Sequence, residues 1–360
     1  MAVTETGAGE RGGDAEMRAR LADFLARETG SAVSITRFER LGGGAIQDNR
    51  RLDVEIAEGP FAGAHAFVLR ASRPAQIAFS HSRAHEFALL RAAWAAGVMV
   101  PEPLWLCEDT GIIGTPFFIM RFVNGTALGH KIVRDSKFYK LREKLAERLG
   151  EELARIHSIT PANLPEGIAA EALDFLVPPS PAPAPAAITA YRRFLDEHPL
   201  PHPVIEWGLS WAEAHCPEGE EIVLCHHDFR TGNYLVDPAR AESGGLAAIL
   251  DWEFAGWGAP MSDIGWFCAK CWRFRAHDRE AGGLAPRAPF YDGYARVSGR
   301  PIDDAAVRFW EVMAHARWAV IAIAQCERHL SGEESSVELA AIGRRLPEME
   351  LEILRLTDMA

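Results

Sequence analysis

The chain has 360 residues, of which 48% are hydrophobic, and a net charge of −12 at neutral pH. This length is sufficient for two lobes with substantial cores. The acidic charge argues against nucleic acid as a partner, because phosphate binding requires a basic face. A mean hydropathy of −0.07, with no uninterrupted apolar run of about 18 residues, argues against a membrane span.

The N-terminus and the cysteines indicate no catalytic chemistry. Residues 1–14 are small, polar and glycine-rich without the apolar core of a secretory signal, so we expect a disordered leader in a cytoplasmic protein. The six cysteines do not indicate a disulfide framework in a chain this long. Cys268 and Cys271 form a C-x-x-C pair in an apolar stretch, and no second pair follows at zinc spacing. Buried thiols are therefore expected there.

The first third of the chain predicts an antiparallel sheet accompanied by a helix. Alternating apolar residues indicate the strands, and an apolar face formed by Phe79, Phe87, Leu90 and Trp94 indicates the helix. In chain order these elements are strands 33–38, 51–56 and 66–69, helix 80–96, and a hairpin of strands 104–107 and 116–120 with a turn at 111–114. A glycine turn at Gly42, Gly43 and Gly44 separates the first two strands.

The remainder of the chain is mainly helical. A proline-rich passage at residues 161–185 interrupts it, because proline does not continue a helix. Helical patterns occupy 141–159, 187–196, 204–214, 303–330 and 338–356. We therefore expect an N-terminal lobe over residues 15–123 and a larger C-terminal lobe over residues 124–360.

The most specific motif surrounds an aspartate and an asparagine five residues apart. Asp228 precedes Asn233, and a further acid, Asp251, follows the apolar strand 246–250. Phosphoryl transfer from ATP needs this set, in which one acid orients the attacking hydroxyl while the amide and the second acid hold Mg²⁺. Turn residues and helix caps are the alternative interpretation of any one of them. Their joint spacing beside apolar strands favours catalysis.

The surrounding residues resemble the aminoglycoside phosphotransferase family, small-molecule kinases with the protein-kinase-like fold that are related to choline kinases. The resemblance is carried by residues 226–233 (HHDFRTGN), 251–253 (DWE) and 258–263 (GAPMSD). It implies an α+β, two-lobed fold, with an N-terminal antiparallel sheet and helix and a mainly helical C-terminal lobe. His227 stands where the family usually has glycine, so a local difference in the loop backbone is expected.

The resemblance implies ATP and Mg²⁺ as cofactors and a role for each residue of the motif. Asp228 would orient and deprotonate a small-molecule hydroxyl, and Asn233 and Asp251 would bind Mg²⁺. Arg230 would stabilise the transferred charge or contact the acceptor. Asp263 would brace the catalytic loop, and His157 would bond the backbone near that loop.

A kinase also requires a nucleotide site in the first third of the chain. No lysine precedes Lys131, so Arg70 is the candidate for the phosphate-binding cation and Glu86 for its partner. An exposed surface glutamate is the alternative for Glu86. The predicted nucleotide contacts are phosphates at Gly42, Gly43 and Gly44, and adenine at the backbone of Arg121, Phe122 and Val123. A simple hairpin and a simple loop are the alternatives for these two segments.

The acceptor itself is not named by any motif. Residues 161–200 contain only a few acidic residues among many prolines and apolar residues. A polycationic aminoglycoside needs several carboxylates in its binding site. Tryptophans after residue 207 either line an apolar acceptor site or pack in the core. We therefore expect a hydroxy acid, an acyl derivative or an aromatic alcohol as the acceptor.

Two other classes of function remain as alternatives. His226, His227, Asp228 and Asp251 loosely resemble the ligands of an HD-type metal-dependent phosphohydrolase, which leaves the nucleotide features of the first third unexplained. A catalytically inactive kinase fold acting as a binding module would be expected to have lost one of the three motif residues, and all three are present.

Overall fold

The computed structural model describes residues 9–41, 47–72 and 80–358. Contacts divide these residues into two compact units. The first unit contains the described residues up to Trp94 together with Val100–Val123. The second unit contains Ala95–Met99 and the described residues from Asn124 onwards.

The first unit is an antiparallel sheet with helices packed on it. In chain order its elements are α1 (Gly9–Thr29), β1 (Val33–Arg40), β2 (Gln47–Ile56), β3 (Gly63–Ser72), α2 (Arg83–Ala95), β4 (Pro103–Cys107), α3 (Thr110–Ile113) and β5 (Phe117–Arg121). The strand order is β1-β2-β3-β5-β4, and each neighbouring pair is antiparallel. The predicted hairpin is confirmed, and its turn contains the short helix α3, which is capped by the side chain of Asp109.

Two expectations for this unit are wrong. The disordered leader was expected to reach residue 14, but residues 9–14 belong to α1. Leu21 and Leu25 of that helix are fully buried against the sheet, and Asp14 lies 2.7 Å from Nη1 of Arg50. Burial of one apolar face supports helix in a segment whose own composition does not favour it. Trp94, expected on the buried face of α2, is 48% exposed.

The second unit is mainly helical and contains two short two-stranded sheets. In chain order its elements are α4 (Gly129–Arg134), α5 (Arg142–Ile156), α6 (Pro183–Glu197), α7 (Pro203–Ala214), β6 (Val223–Cys225), β7 (Tyr234–Val236), β8 (Leu246–Ile249), β9 (Gly256–Gly258), α8 (Pro260–Cys268), α9 (Arg287–Ser298), α10 (Asp304–Leu330), α11 (Val337–Gly343) and α12 (Leu346–Leu356). Strand β6 pairs with β9, and β7 pairs with β8.

The helix expected over residues 338–356 is two helices. Helix α11 ends at Gly343, and α12 begins at Leu346 with a proline in its first turn. Proline is favourable at that position and unfavourable further inside a helix, which explains the break. Every helix in the described part of the chain is too short or too polar to cross a membrane.

Several helices of the second unit pack closely together. Helices α5 and α9 cross at Gly150 and Gly293, where an added Cβ would lie 2.1 Å from the carbonyl oxygens of Phe290 and Glu147, respectively. Only glycine permits this approach. The long helix α10 packs against α7, α8, α11 and α12, and its fully buried small residues Ala316, Ala319 and Ala322 belong to the core of this unit.

Candidate active site

The loop between β6 and β7 carries the predicted base and is fixed by a buried histidine. The Nε2 atom of His226 lies 2.9 Å from the carbonyl oxygen of Leu250, and the amide of Asp228 donates to Nδ1 of His226 over 3.3 Å. A carbonyl can only accept and an amide N–H can only donate, so Nε2 of His226 donates to the carbonyl and Nδ1 accepts from the amide. Both ring nitrogens are therefore used to hold the loop.

Asp263 in the first turn of α8 braces the same loop. Its carboxylate accepts from the backbone amides of His226 at 2.6 Å and His227 at 2.8 Å. Burial favours the neutral acid, but the hydrogen bond from His157 and the neighbouring imidazoles lower the pKa of Asp263 to about 2. The side chain thus stays ionised and acts as a fixed acceptor for two amides.

His157 contacts the loop through this carboxylate. Its Nε2 lies 3.3 Å from Oδ2 of Asp263, and its Nδ1 lies 2.9 Å from the hydroxyl of Tyr294. The expected direct bond to the loop backbone is replaced by one through Asp263. Burial lowers the pKa of His157 below its ordinary value.

His227 occupies the position where the family usually has glycine, and its backbone keeps a conformation that favours glycine. Its φ is +59°, in the left-handed region. The imidazole packs against β9, where a Cβ on Gly258 would lie 2.7 Å from Cε1 of His227. Gly258 therefore supplies the space for this histidine. Burial lowers the pKa of His227 to about 4, so its ring is neutral at pH 7.

Asp228 is 8% exposed, and both of its carboxylate oxygens are hydrogen-bonded. Oδ1 accepts from Nε1 of Trp266 at 3.0 Å and from Nε of Arg230 at 3.0 Å. Oδ2 accepts from the side-chain amide of Asn233. This geometry orients the carboxylate, as a general base requires.

Arg230 lies over an aromatic ring while it contacts the base. Its guanidinium carbon is 4.5 Å from the centre of the Trp272 ring, an arrangement that stabilises the cation. The following residue, Thr231, is held by the hydroxyl of Tyr234 and by the carbonyl of Gly282, each at 2.7 Å. The structure therefore places Arg230 beside the carboxylate of Asp228 in a fixed loop.

Asn233 and Asp251 are brought together by strand pairing. Tyr234 lies opposite Ile249 in the β7–β8 ladder, and the amide of Leu250 donates to the carbonyl of Asn233 over 2.8 Å. Asp251 follows directly with a φ of +70°. The amide nitrogen of Asn233 donates to Asp228, so its side-chain oxygen points away from those donor contacts. An amide oxygen and a carboxylate are suitable ligands for Mg²⁺, so this donor set fits the ion.

The predicted pair in the first unit is formed. Nη2 of Arg70, on β3, lies 2.5 Å from Oε1 of Glu86 in the first turn of α2. Glu86 is 2% exposed, so the alternative of an exposed surface glutamate is wrong. A second buried arginine, Arg83, binds the other oxygen of the same carboxylate. The sequence interpretation did not include Arg83.

The other predicted nucleotide contacts are partly outside the described residues. Gly42, Gly43 and Gly44 lie outside them. The amides of Arg121 and Phe122 donate to Glu102 and Ala66, each over 2.9 Å. Both of these amides are therefore committed to backbone partners within the first unit.

The buried thiol expected at Cys268 is confirmed, whereas Cys271 is only partly buried. Burial raises the pKa values of Cys268 and Cys271 to about 12, which makes both poor nucleophiles and poor metal ligands. Among the described residues, one group has metal-ligand spacing, formed by His157, Cys225 and Asp263. Its carboxylate already accepts two amides, so we assign it a structural role. Because both ring nitrogens of His226 are also committed, this histidine is not available as a metal ligand for the phosphohydrolase alternative.

Comparison with known proteins identifies the family to which this fold belongs. The sheet with its helix, the mainly helical second unit and the Asp-Asn-Asp arrangement define a two-lobed α+β kinase-like fold. A model of the phosphotransferase enzyme family (APH) matches residues 37–310, more than half of the chain. The protein therefore belongs to this family of kinase-type enzymes.

Individual relatives support the same fold. A putative aminoglycoside phosphotransferase from Ralstonia eutropha aligns with a TM-score of 0.71 at 23% identity, covering 94% of this chain and 98% of its own. A spectinomycin phosphotransferase bound to ADP and spectinomycin aligns with a TM-score of 0.59 at 14% identity, covering 95% and 98%. The mouse acyl-CoA dehydrogenase family member 10 is 28% identical over 284 residues, which are 75% of this chain. The chain spans only 25% of that relative's length.

Proposed function

We propose that the protein is an ATP- and Mg²⁺-dependent phosphotransferase acting on a hydroxyl group of a small, partly apolar molecule. The observation that carries this proposal is the oriented carboxylate of Asp228, held by Trp266 and Asn233 in a loop braced by Asp263. A carboxylate fixed in this way suits proton abstraction from a positioned hydroxyl.

The proposed reaction balances without any further reactant. The acceptor hydroxyl gives its proton to Asp228, its oxygen forms a bond to the γ-phosphorus of ATP, and the bond to the leaving ADP breaks. Asn233 and Asp251 would hold Mg²⁺, which neutralises phosphate charge when bound. Arg230 would stabilise charge on the transferred group once it leaves its contact with Asp228.

In the first unit, Arg70 would neutralise the phosphates that are not transferred. Glu86 fixes the position of Arg70, and Arg83 shares that carboxylate. Gly42–Gly44 and the segment 121–123 would contact the phosphates and the adenine, as the family resemblance implies.

The proposed acceptor is partly apolar because a cavity lined by Trp266, which contacts the base, has mainly apolar walls. This cavity, of about 320 Å³, lies in the second unit next to His227 and Trp266. Its walls include Tyr191, Trp257, Trp310 and Met313. The mouse relative is named for a dehydrogenase of acyl-CoA, which supports an acyl derivative within the class that includes hydroxy acids and aromatic alcohols.

A screen of acceptors tests the proposed function. The protein is incubated with labelled ATP, Mg²⁺ and pools of hydroxy acids, acyl derivatives, aromatic alcohols, sugars and aminoglycosides. We expect phosphorylated products from the apolar pools and poor transfer to kanamycin, because the described residues that line the cavity include one carboxylate, Asp263, whereas a polycation needs several. Efficient phosphorylation of kanamycin would contradict the proposed acceptor class. Phosphate release with zinc and no acceptor would favour a phosphohydrolase.

Replacement of Arg70 tests the phosphate site. Arg70→Ala is expected to weaken ATP binding far more than adenosine binding, because in the proposed complex the guanidinium binds the phosphates of ATP and does not bind the adenosine. Arg70→Lys should recover part of the affinity, since the charge returns without the bidentate geometry. Calorimetric titration with both ligands measures the difference. Equal losses for ATP and adenosine would show that Arg70 supports the fold of the first unit instead.

A further inference from the structure

The cavity lined by His227 and Trp266 has mainly apolar walls with a few polar groups. Two of its polar residues are already committed. The hydroxyl of Ser262 donates to the carbonyl of Ala259 over 2.7 Å, and the carboxylate of Asp263 accepts from the two loop amides. The wall also contains Arg317, the hydroxyl of Tyr191 and the imidazole of His227, which already has a hydrogen bond to the backbone of Trp257.

Arg317 on α10 is the cation of this cavity. One of its nitrogens, Nη1, donates to the carbonyl of His227 over 2.6 Å. Its guanidinium carbon lies 4.5 Å from the centre of the Trp266 ring. Within the described ranges, no carboxylate oxygen lies within ion-pair distance of Arg317, and Nη2 and Nε are not used in the bond to His227. A partly buried cation in an apolar cavity is stabilised when a ligand supplies the counter-charge.

Trp266 connects this cation to the base. One face of its indole contacts Arg317, and its Nε1 donates to Oδ1 of Asp228 over 3.0 Å. His227, whose carbonyl binds Arg317, is the residue before Asp228. The wall of the cavity is thus linked to the base directly, through the hydrogen bond from Trp266 and through the peptide bond between His227 and Asp228.

We propose that Arg317 is a specificity-determining residue that binds a carboxylate of the acceptor, so that the enzyme selects apolar alcohols carrying a carboxylate. This proposal rests on the proposed function, and it decides among the acceptor classes named there. Nε and Nη2 of Arg317 provide the parallel donors that a carboxylate prefers. The apolar walls of the cavity would contact the hydrocarbon chain of the acceptor.

The test uses hydroxyoctanoates with the hydroxyl at successive carbons, together with the corresponding octanediols, which lack the carboxylate. Arg317→Gln keeps a side-chain donor for the carbonyl of His227 and removes the charge. We expect the KM of the preferred hydroxyoctanoate to rise by about tenfold or more, since a hydrogen bond to a charged group is worth roughly 1.5–3 kcal/mol. For the diols, kcat and KM should stay near the wild-type values. The KM for ATP should also stay near its wild-type value. Arg317→Lys should restore part of the preference.

Arg308→Gln is the matched control. Arg308 lies on the same helix and, like Arg317, contacts a tryptophan ring and a backbone carbonyl. Its guanidinium carbon is 5.7 Å from the centre of the Trp211 ring, and its Nε donates to the carbonyl of Leu356. Its replacement should leave the preference for the carboxylate unchanged. If Arg317→Gln affects hydroxyoctanoates and diols equally, the arginine only supports the loop and the proposal is overturned.

Direct binding separates this proposal from the proposed function. Calorimetry with octanoate and octanol should show that octanoate binds the wild type at least about tenfold more tightly than it binds Arg317→Gln, while octanol does not discriminate between them. This result would support the carboxylate site even if no acceptor were phosphorylated, in which case the kinase proposal alone would fail. Equal octanoate binding by both proteins, or no binding to the wild type, would overturn the carboxylate site.

Discussion

Asp228→Asn is expected to lower turnover by about a hundredfold or more while nucleotide binding stays close to that of the wild type. The amide cannot take a proton from the acceptor hydroxyl, and a positioned base contributes on this scale. The replacement has nearly the same volume, and its remaining oxygen can still accept from Trp266. Steady-state turnover with the best acceptor from the screen gives the first quantity, and calorimetric titration with Mg-ATP gives the second.

Two further variants make this result specific. Asp251→Ala should lose Mg²⁺-dependent nucleotide binding, because a hard divalent ion needs its carboxylate ligand. Asp292→Asn changes an exposed acid on α9 and should behave as the wild type does. Wild-type turnover in Asp228→Asn, with ATP binding intact, would show that Asp228 is not the base. Retained Mg-ATP affinity in Asp251→Ala would remove Asp251 from the metal site.

The geometry of the candidate catalytic loop could be predicted from the sequence because it depends on short spacings. Asp228 and Asn233 are five residues apart, so one loop is enough to bring the carboxylate and the amide into contact. Asp251 follows a strand that pairs with the strand after Asn233, and apolar patterns reveal such strands. Arg70 and Glu86 were also found, because family order fixes which strand and which helix carry them.

The residues that the sequence did not reveal are those set by tertiary packing. Trp266 binds the base from a separate helix, and Arg317 reaches the loop from α10. Neither has a distinctive spacing to Asp228, and a tryptophan or arginine on a helix usually has an ordinary packing or surface role. Trp266 follows Asp263 by three residues on α8, so the helical period was the one available signal.

Local composition was misleading in two places. Residues 9–14 have the composition of a disordered segment, yet they continue a helix that is stabilised by the burial of Leu21 and Leu25. His227 was expected to alter the loop, but its φ of +59° shows a non-glycine residue held in a conformation that favours glycine. The amides of His226 and His227 donate hydrogen bonds to the carboxylate of Asp263, and these bonds offset the cost of the positive φ at His227.

Acidification is expected to destabilise the fold between pH 6.5 and about 4, partly through a histidine that was not predicted. His315 on α10 is 2% exposed. Its Nδ1 lies 2.7 Å from the carbonyl of Glu311, and its Nε2 has no hydrogen-bond partner among the described residues. Burial lowers the pKa of His315 from 6.5 to about 4, and burial also lowers the pKa of His227 to about 4.

The direction of the effect follows from proton linkage. In this pH window the unfolded chain binds protons at these histidines that the folded chain does not bind, so the free energy of unfolding rises with pH and falls on acidification. For His315 the difference corresponds to roughly 3 kcal/mol between pH 7 and pH 4. His157, whose pKa is also lowered by burial, acts in the same direction.

His315→Asn tests this linkage, because asparagine keeps a donor for the carbonyl of Glu311 and cannot be protonated in this range. Chemical denaturation is measured from pH 7 to pH 5 for the wild type and the variant. The variant should lose some stability at pH 7 through reduced packing, but its free energy of unfolding should fall less steeply, by up to about 1.4 kcal/mol per pH unit. His277→Asn, which changes an exposed imidazole, should retain the wild-type slope. Parallel curves for His315→Asn and the wild type would mean that His315 takes up its proton equally in the folded and unfolded states, and the acid sensitivity would then have to come from His157 and His227.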